Sequence, residues 1–188
     1  MTISAIKNQS IKRLLLMTFL ASIISACATN HLAPIATVPQ VDLPKFMGNW
    51  YVIAAIPTAI ETESYNAVES YVLDKDGSIA TTFTYNKGSF DGKLKTYKPR
   101  GFVIENSGNA LWGMQFIWPI KAEYRIAYLN EDYTQTIIAR NARDYVWIMA
   151  RTSTISDAEY EKLTNFTAKL GYDLSKLRKV PHNENNIK

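Results

Sequence analysis

The sequence has one cysteine and two histidines among its 188 residues, and this scarcity limits the chemistry that the chain can perform. The single thiol, Cys27, excludes an internal disulfide. The histidines, His31 and His182, both lie near the ends of the chain. Because the long middle region contains neither residue type, Ser-His-Asp catalysis, a thiol nucleophile and a histidine-ligated haem or zinc are excluded there. We therefore expect no metal and no cofactor.

A strong charge of one sign is also lacking once the N-terminal segment is set aside. The chain carries 21 Lys and Arg against 17 Asp and Glu. The only charged residues within 1–26 are Lys7, Lys12 and Arg13, so 18 basic residues remain against 17 acidic ones from position 27 onward. This balance gives no support to nucleic-acid binding. The hydrophobic content of 47% and aromatic content of 12% are typical of a folded domain.

Residues 1–26 are typical of an export signal. A basic start precedes the apolar stretch from Leu14 to Ile24, which is too short for a comfortable membrane span. Small residues then lead to Cys27, which resembles the lipobox of bacterial lipoproteins, whose cysteine is acylated after cleavage. A plain cleaved signal followed by an unrelated cysteine is the alternative. The residue after it is Ala28 rather than Asp, so the resemblance implies a lipid anchor in the bacterial outer membrane.

The rest of the chain divides into three predicted parts. Residues 27–40 contain two prolines and no hydrophobic period, so we expect a lipidated, extended tether. Residues 41–181 are predicted to form the folded domain, and residues 182–188 a flexible tail.

Eight short runs rich in β-branched and aromatic residues lie between Trp50 and Arg151. Asn, Asp and Gly separate most of them, and these residues tolerate the positive φ of tight hairpin turns. The runs are 50–56, 65–73, 79–86, 92–104, 110–117, 122–129, 133–140 and 144–151. This spacing predicts an all-β fold, either an antiparallel up-and-down barrel or a sandwich. No alternation of strands and helices indicates a parallel sheet.

One helix is predicted after the last of these strands. Ser156 and Glu159 have the spacing of a capping box, and Gly171 suits the position after the helix end. Apolar residues recur at helical spacing at Tyr160, Leu163, Phe166 and Leu170. We expect this stripe to pack on the outside of the barrel. A short final strand is expected around residues 177–180.

Three short motifs resemble those of the lipocalin family. Gly48-Asn49-Trp50 matches the family's G-x-W at the first strand. Glu131-Asp132-Tyr133 resembles the second motif, although Glu131 stands where Thr is usual. Arg151 matches the third motif, directly before the helix. The resemblance covers about residues 41–181, is closest to the bacterial outer-membrane lipocalins of the Blc type and to apolipoprotein D, and implies an eight-stranded barrel with one C-terminal helix outside.

The motif residues are expected to be structural. Trp50 is placed to plug one end of the barrel, and the Arg151 guanidinium to stack on its indole and donate to nearby carbonyls. Neither residue is assigned to catalysis.

Alternation of side chains, counted mainly from Trp50 and Arg151, predicts which residues face the barrel interior. The expected ligand-binding residues are Val52, Ala54, Phe83, Tyr85, Trp112, Met114, Phe116, Trp118, Tyr124, Tyr128, Tyr145, Trp147 and Met149. They predict an apolar cavity with few fixed charges, which suits an acyl chain. Burying about 15 methylenes gives about 12 kcal/mol gross, against a cost of about 4–15 kcal/mol for association.

A basic cluster falls in the region of the third and fourth strands. It consists of Lys87, Lys93, Lys95, Lys98 and Arg100. We interpret it as a solvated outer face, with attraction of a phosphate or carboxylate head group as the alternative.

The sequence favours a membrane-anchored carrier of fatty acids, lysophospholipids or similar amphiphiles, acting in storage or transport for envelope maintenance, and not an enzyme. The alternative is a lipocalin-fold enzyme that acts on a lipid without Cys or His. Its acid–base candidates, Glu61, Glu63, Glu69 and Glu123, show no pairing in the sequence that singles them out. A passive lipoprotein with a filled interior is a third reading. The sequence leaves open whether two barrels pair as a homodimer.

Overall fold

The computed structural model describes residues 32–183. The predicted signal at 1–26, the predicted acylation site Cys27 and the last five residues of the predicted tail lie outside this range.

Within residues 32–183, ten strands form one antiparallel sheet that closes on itself. The strands are β1 (Gly48–Ile56), β2 (Ser64–Leu73), β3 (Ile79–Lys87), β4 (Leu94–Tyr97), β5 (Arg100–Val103), β6 (Leu111–Ile117), β7 (Ile120–Leu129), β8 (Gln135–Ala139), β9 (Val146–Ala150) and β10 (Arg178–Lys179). Pairing of β1 with β9 closes the barrel. Because β4 and β5 both pair with β3, they count as one wall strand, and the predicted eight-stranded antiparallel barrel is confirmed.

Pro99 explains why the strand predicted at 92–104 is divided. β4 ends at Tyr97 and β5 begins at Arg100. Proline has no N–H to donate to a sheet ladder. Its carbonyl still accepts a hydrogen bond from the Thr81 N–H at 3.2 Å, so the two halves stay against β3.

Over the described range, two α-helices flank the barrel strands, α1 (Leu43–Phe46) and α2 (Asp157–Lys169), and a 3₁₀ turn follows at Leu174–Lys176. The capping box is formed: Ser156 N–H donates to Glu159 Oε2 at 2.9 Å, and Glu159 N–H donates to Ser156 Oγ at 3.3 Å. Gly171 follows the helix end with a φ of 91°, which glycine adopts without strain. In the described part of the chain, no helix has the length and apolar character to cross a bilayer.

Helix α2 packs against the outer surface of the barrel, which confirms the prediction. Leu163 is fully buried there, and Tyr160, Phe166 and Leu170 pack around it. The barrel side of this layer includes Ile53, Ala54, Ile137 and Ile148. Side chains of β1, β8 and β9 therefore serve two cores, one inside the barrel and one beneath the helix.

Two β-bulges overturn part of the predicted lining. The register of β1 shifts between Val52 and Ala54, so Ala55 faces the interior and Ala54 lies beneath α2. The register of β7 shifts between Ile126 and Tyr128, and the Tyr128 ring packs on Phe166 of α2 with centroids 5.2 Å apart. The inward orientation predicted for Ala54 and Tyr128 is therefore wrong, because each bulge inserts one residue and reverses the alternation beyond it.

The segment predicted as a tether is part of the fold over its second half. Ile35 is buried, and its N–H donates to Asn141 Oδ1 at 2.8 Å. The Val38 N–H donates to the Ile126 carbonyl at 2.9 Å. The apolar side chains among the prolines explain this packing, so an extended tether is wrong for residues 35–40.

Residues 178–183 fill a gap in the barrel wall. β2 pairs with β1 only from Gly48 to Tyr51, and β10 pairs with β1 at Ala54 and Ala55 beyond that point. The Pro181 carbonyl accepts from Asn66 N–H on β2 at 2.9 Å. His182 lies 2.8 Å from the Val52 carbonyl, so the start of the predicted flexible tail is bound to the barrel.

Candidate functional site

One end of the barrel is closed by packed aromatic rings. Trp50 is fully buried and donates from Nε1 to the Phe46 carbonyl at 2.8 Å. Trp112 stacks on Tyr124 with centroids 4.9 Å apart, and its edge meets Phe46 and Tyr71. We call these five residues the floor. Trp112 faces inward but belongs to this floor and does not border the open cavity.

Arg151 holds the floor from outside. Its guanidinium lies 3.8 Å from the centre of the Trp50 ring. It donates to four backbone carbonyls: Nε to Tyr133 at 3.2 Å, Nη1 to Asn49 at 2.7 Å, and Nη2 to Lys45 at 2.9 Å and Phe46 at 3.0 Å. One side chain thus joins α1, β1 and the β7–β8 turn.

The other motif residues surround this contact. The Tyr133 hydroxyl accepts a hydrogen bond from Asp42 N–H at 2.9 Å. Asp132 is exposed in the turn between β7 and β8. Gly48 has a φ of 90°, and a Cβ built there would lie 3.5 Å from the guanidinium of Arg151. The glycine is explained by its backbone conformation and not by lack of space.

A cavity of about 330 Å³ lies beyond the floor, inside the barrel. Of the predicted ligand-binding residues, those that border it are Phe83, Met114, Phe116, Tyr124, Tyr145, Trp147 and Met149. Val52 faces a second cavity of about 270 Å³ beside the C-terminal segment. Tyr85 is buried nearby and donates from its hydroxyl to the Ile60 carbonyl.

The loop between β1 and β2 forms part of the cavity wall at the open end. Thr58, Ala59, Ile60 and Glu61 all border the cavity. The Glu61 carboxylate accepts from Trp147 Nε1 at 2.9 Å and from Thr58 Oγ1 at 2.7 Å. Burial raises the pKa of Glu61, and these two hydrogen bonds oppose the rise. The Glu61 carboxylate therefore links the loop to the cavity wall at Trp147.

Trp118 does not line the cavity, contrary to the prediction. It occupies the tip of the β6–β7 hairpin at the open end, where 82% of its surface is exposed. Ile117 and Ile120 beside it are 72% and 69% exposed. The alternation that points Trp112 and Met114 inward ends at this turn, so it carries no information about the tip.

The interior is more polar than the sequence predicted, because Glu69 faces it from β2. The register places Glu69 opposite Trp50 on β1 and opposite Phe83 on β3, so its side chain shares their inner face near the floor. Burial and the negative charge of Glu61 hold the pKa of Glu69 well above 4.5. Its Oε2 atom is buried and has no hydrogen-bond partner among the described residues.

Two tyrosines complete the polar part of the interior. The hydroxyls of Tyr71 and Tyr124 are 2.7 Å apart and hydrogen-bonded to each other. Burial raises the pKa of both groups. Alternation along β2 would have placed Glu69 and Tyr71 on the same inner face as Ala67, but no lining was predicted for that strand.

The basic cluster is not a single surface. Arg100 is paired with Asp74 at 2.8 Å. Lys95 lies opposite Tyr85 in the β3–β4 register and is half-buried, so it is on the inner side of the sheet and not on the expected outer face. The remaining members, Lys87, Lys93 and Lys98, are exposed. Across residues 32–183, no three His, Cys, Asp or Glu side chains are grouped to hold a metal ion.

Comparison with known proteins gives a consistent result. A family model described as a lipocalin-like domain matches residues 41–182. Temperature-induced lipocalin-1 of Arabidopsis thaliana is 28% identical over 161 residues, covering 78% of this chain and 82% of the relative. Outer membrane lipoprotein Blc of Escherichia coli (strain K12) is 27% identical over 152 residues, covering 76% and 80%. The structure of insecticyanin from the tobacco hornworm Manduca sexta superposes with a TM-score of 0.64 at 14% identity, covering 80% of this chain and 86% of that one.

Proposed function

Because the chain belongs to the lipocalin-like family, we propose that it carries fatty acids, lysophospholipids or similar amphiphiles in its barrel, anchored to the bacterial outer membrane through acylated Cys27. The observation that supports this most directly is the cavity of about 330 Å³ above a sealed aromatic floor. Pockets for small ligands have volumes of about 300–1,000 Å³ and mostly apolar walls. The alternative of a passive lipoprotein predicts an interior filled by side chains, and this cavity argues against it.

The wall chemistry supports a ligand with an apolar chain. Phe83, Met114, Trp147 and Met149 offer aromatic and thioether surfaces that adapt to a flexible chain. Desolvation of an acyl chain supplies the driving force, and its slope is about 0.8 kcal/mol per methylene. The proposed ligand-binding residues are therefore the predicted ones that border the cavity, together with Ile60 and Tyr71.

The open end supports an anionic or zwitterionic head group. Lys95 is on the inner side of the sheet there and forms no ion pair with any residue in the range 32–183. Arg140 borders the cavity, with its Nε 3.3 Å from Asp144 Oδ1. A head group between these cations would remain in contact with water while the chain lies inside.

The exposed hairpin tip supports exchange of the ligand with a bilayer. Ile117, Trp118 and Ile120 project beside the mouth of the cavity. Tryptophan and aliphatic side chains partition into the boundary between head groups and acyl chains. A bilayer at the tip would face the cavity mouth, so a lipid would pass between them with little exposure to water.

Intrinsic fluorescence tests the proposal, because Trp147 borders the cavity. Titration with hexadecanoic acid and with lysophosphatidylcholine is expected to give a saturable spectral change. Ala122→Phe places a ring in the cavity and should weaken binding about tenfold or more. The matched control, Ala158→Phe on the exposed face of α2, should bind as the parent does.

Two results would contradict the proposal. One is the absence of saturable binding for every amphiphile tested. The other is equal affinity of the Ala122→Phe and Ala158→Phe variants. Recovered ligand is expected to be chemically unchanged, and its conversion would favour the enzyme alternative.

A further inference from the structure

Glu69 occupies the deep end of the ligand cavity. Its strand, β2, runs from the open end toward the floor, and Glu69 is paired with Trp50, the residue that Arg151 covers from below. Its side chain borders the cavity. A ligand chain that fills the cavity from the mouth would therefore end against this carboxyl group.

The Glu69 carboxyl group has an oxygen without a hydrogen-bond partner among the described residues, whereas the polar groups around it are hydrogen-bonded. Glu69 Oε2 is buried and forms no hydrogen bond with the described residues. The Tyr71 and Tyr124 hydroxyls are hydrogen-bonded to each other, and Thr81 Oγ1 donates a hydrogen bond to Met114 Sδ at 3.8 Å. Buried polar atoms in native proteins are nearly always paired, because an unpaired one destabilises the fold. A residue of similar size without polar atoms would avoid this cost, so the carboxyl group needs another explanation.

The charge state of Glu69 indicates what kind of partner would fit. Burial and the nearby Glu61 raise its pKa, which favours the neutral acid. A neutral carboxyl group donates one O–H hydrogen bond and accepts others. A carboxylate or phosphate entering first would find, among residues 32–183, no cation beside Trp50 other than Arg151, whose guanidinium is on the far side of the indole. Anionic head groups are thereby kept at the open end, near Lys95.

We infer that the ligand has a neutral oxygen group, a hydroxyl or a carbonyl, at the end that reaches the floor, and that Glu69 binds this oxygen. The inference rests on the proposed carrier function and specifies its ligand class: an acyl or alkyl chain with polar groups at both ends. The head group sets the orientation at the mouth, and the second oxygen replaces the missing partner of Oε2.

Pairs of ligands that differ only at the far end test the inference. Dodecanoic, tetradecanoic and hexadecanoic acids are compared with their ω-hydroxy counterparts by calorimetry on the complete protein. In a purely apolar pocket, burying an unpaired hydroxyl weakens binding by about tenfold or more. Here, at the chain length that reaches the floor, the ω-hydroxy acid is expected to bind at least as tightly as its parent.

Variants at Glu69 identify the group responsible. Glu69→Leu should reverse the preference, changing the ratio of the two affinities by about tenfold. Glu69→Gln keeps a donor and an acceptor and should retain the preference. Glu105→Leu, an exposed carboxyl removed from a loop, is the control and should leave the ratio unchanged.

The outcomes separate this inference from the proposed function. If the parent acids bind, and the ratio of the affinities for the ω-hydroxy and parent acids is the same in Glu69→Leu as in the wild type, the inference is overturned. The carrier function then stands. Failure of both ligand series and of lysophosphatidylcholine to bind overturns the carrier function itself. If an ω-amino acid binds more tightly than the ω-hydroxy acid, the ligand group that Glu69 binds is not a neutral oxygen, and the inference is overturned. If Glu69→Leu does not fold, the wild-type ratio and Glu69→Gln decide, and a wild-type ω-hydroxy acid about tenfold weaker than its parent refutes the inference.

Discussion

Replacing Arg151 with alanine is expected to destabilise the barrel far more than loss of an ordinary surface arginine. The substitution removes a guanidinium that covers the Trp50 ring at 3.8 Å and four hydrogen bonds to backbone carbonyls. These carbonyls come from α1, from the start of β1 and from the β7–β8 turn. The Phe46 carbonyl keeps its hydrogen bond from Trp50 Nε1, but each of the four carbonyls loses the bond from the guanidinium, and water replaces that bond only where it can reach.

The loss of unfolding free energy in Arg151→Ala depends on which of these contacts water cannot replace. The bonds to Asn49 and Lys45 are exposed and are expected to contribute little. The bonds to Phe46 and Tyr133 are partly buried, and each is assigned about 1 kcal/mol. The contact with the indole adds about 1 kcal/mol. The total is about 3 kcal/mol, which corresponds to a fall in melting temperature of about 6–12 °C.

Urea denaturation followed by tryptophan fluorescence measures this change. With a slope of about 2 kcal/mol/M, the midpoint should fall by about 1.5 M. Arg100→Ala is the matched control, because Arg100 makes an exposed ion pair with Asp74 worth about 0–1 kcal/mol. Arg151→Lys should recover only a minority of the loss, since lysine keeps the charge but not the planar fork. An Arg151→Ala midpoint within the range of Arg100→Ala would refute the assigned role.

Two further predictions concern the interior and the hairpin tip. Because the pKa of Glu69 is raised above 4.5 in the folded state, the folded protein keeps a proton that the unfolded chain releases. The contribution of this group to stability is therefore fully present below pH 4.5 and is lost as the pH rises toward the folded pKa. Glu69→Gln should flatten this fall in urea midpoints measured from pH 4 to pH 9, and parallel profiles would contradict the assignment. At the tip, the double substitution Ile117→Ser and Trp118→Ser should lower the partition of unacylated protein onto lipid vesicles several-fold without changing ligand affinity. Val72→Ser removes another exposed apolar side chain, at the closed end, and should have no effect; equal losses in both variants would argue against docking through the tip.

The features that the sequence predicted correctly are those specified by local patterns. Turn residues between short β-rich runs indicated the number of wall strands, and the pair Ser156 and Glu159 located the start of α2. Family motifs at Trp50 and Arg151 indicated which end is closed. Each of these signals lies within a few residues of the element that it describes.

The features that were missed depend on geometry between strands. A bulge has no required residue type, so nothing at Val52 or Ile126 announced that the alternation would reverse at Ala54 and Tyr128. Glu69 was not recognised as an interior residue, because a carboxyl group is expected on the outside of a sheet. Alternation along β2 groups it with Ala67 and Tyr71, and the register of β2 against β1 then shows that this face is the inner one.

The β1–β2 gap is bridged by the last described residues of the chain, from Arg178 to Asn183. These residues come after all the other wall strands in chain order, so β1 to β9 can pair before the gap beside Val52 is covered. Removal of the residues from Leu177 onward would leave strands β1 to β9 in place. The barrel would then have a lateral opening beside Val52 that exposes its interior to water.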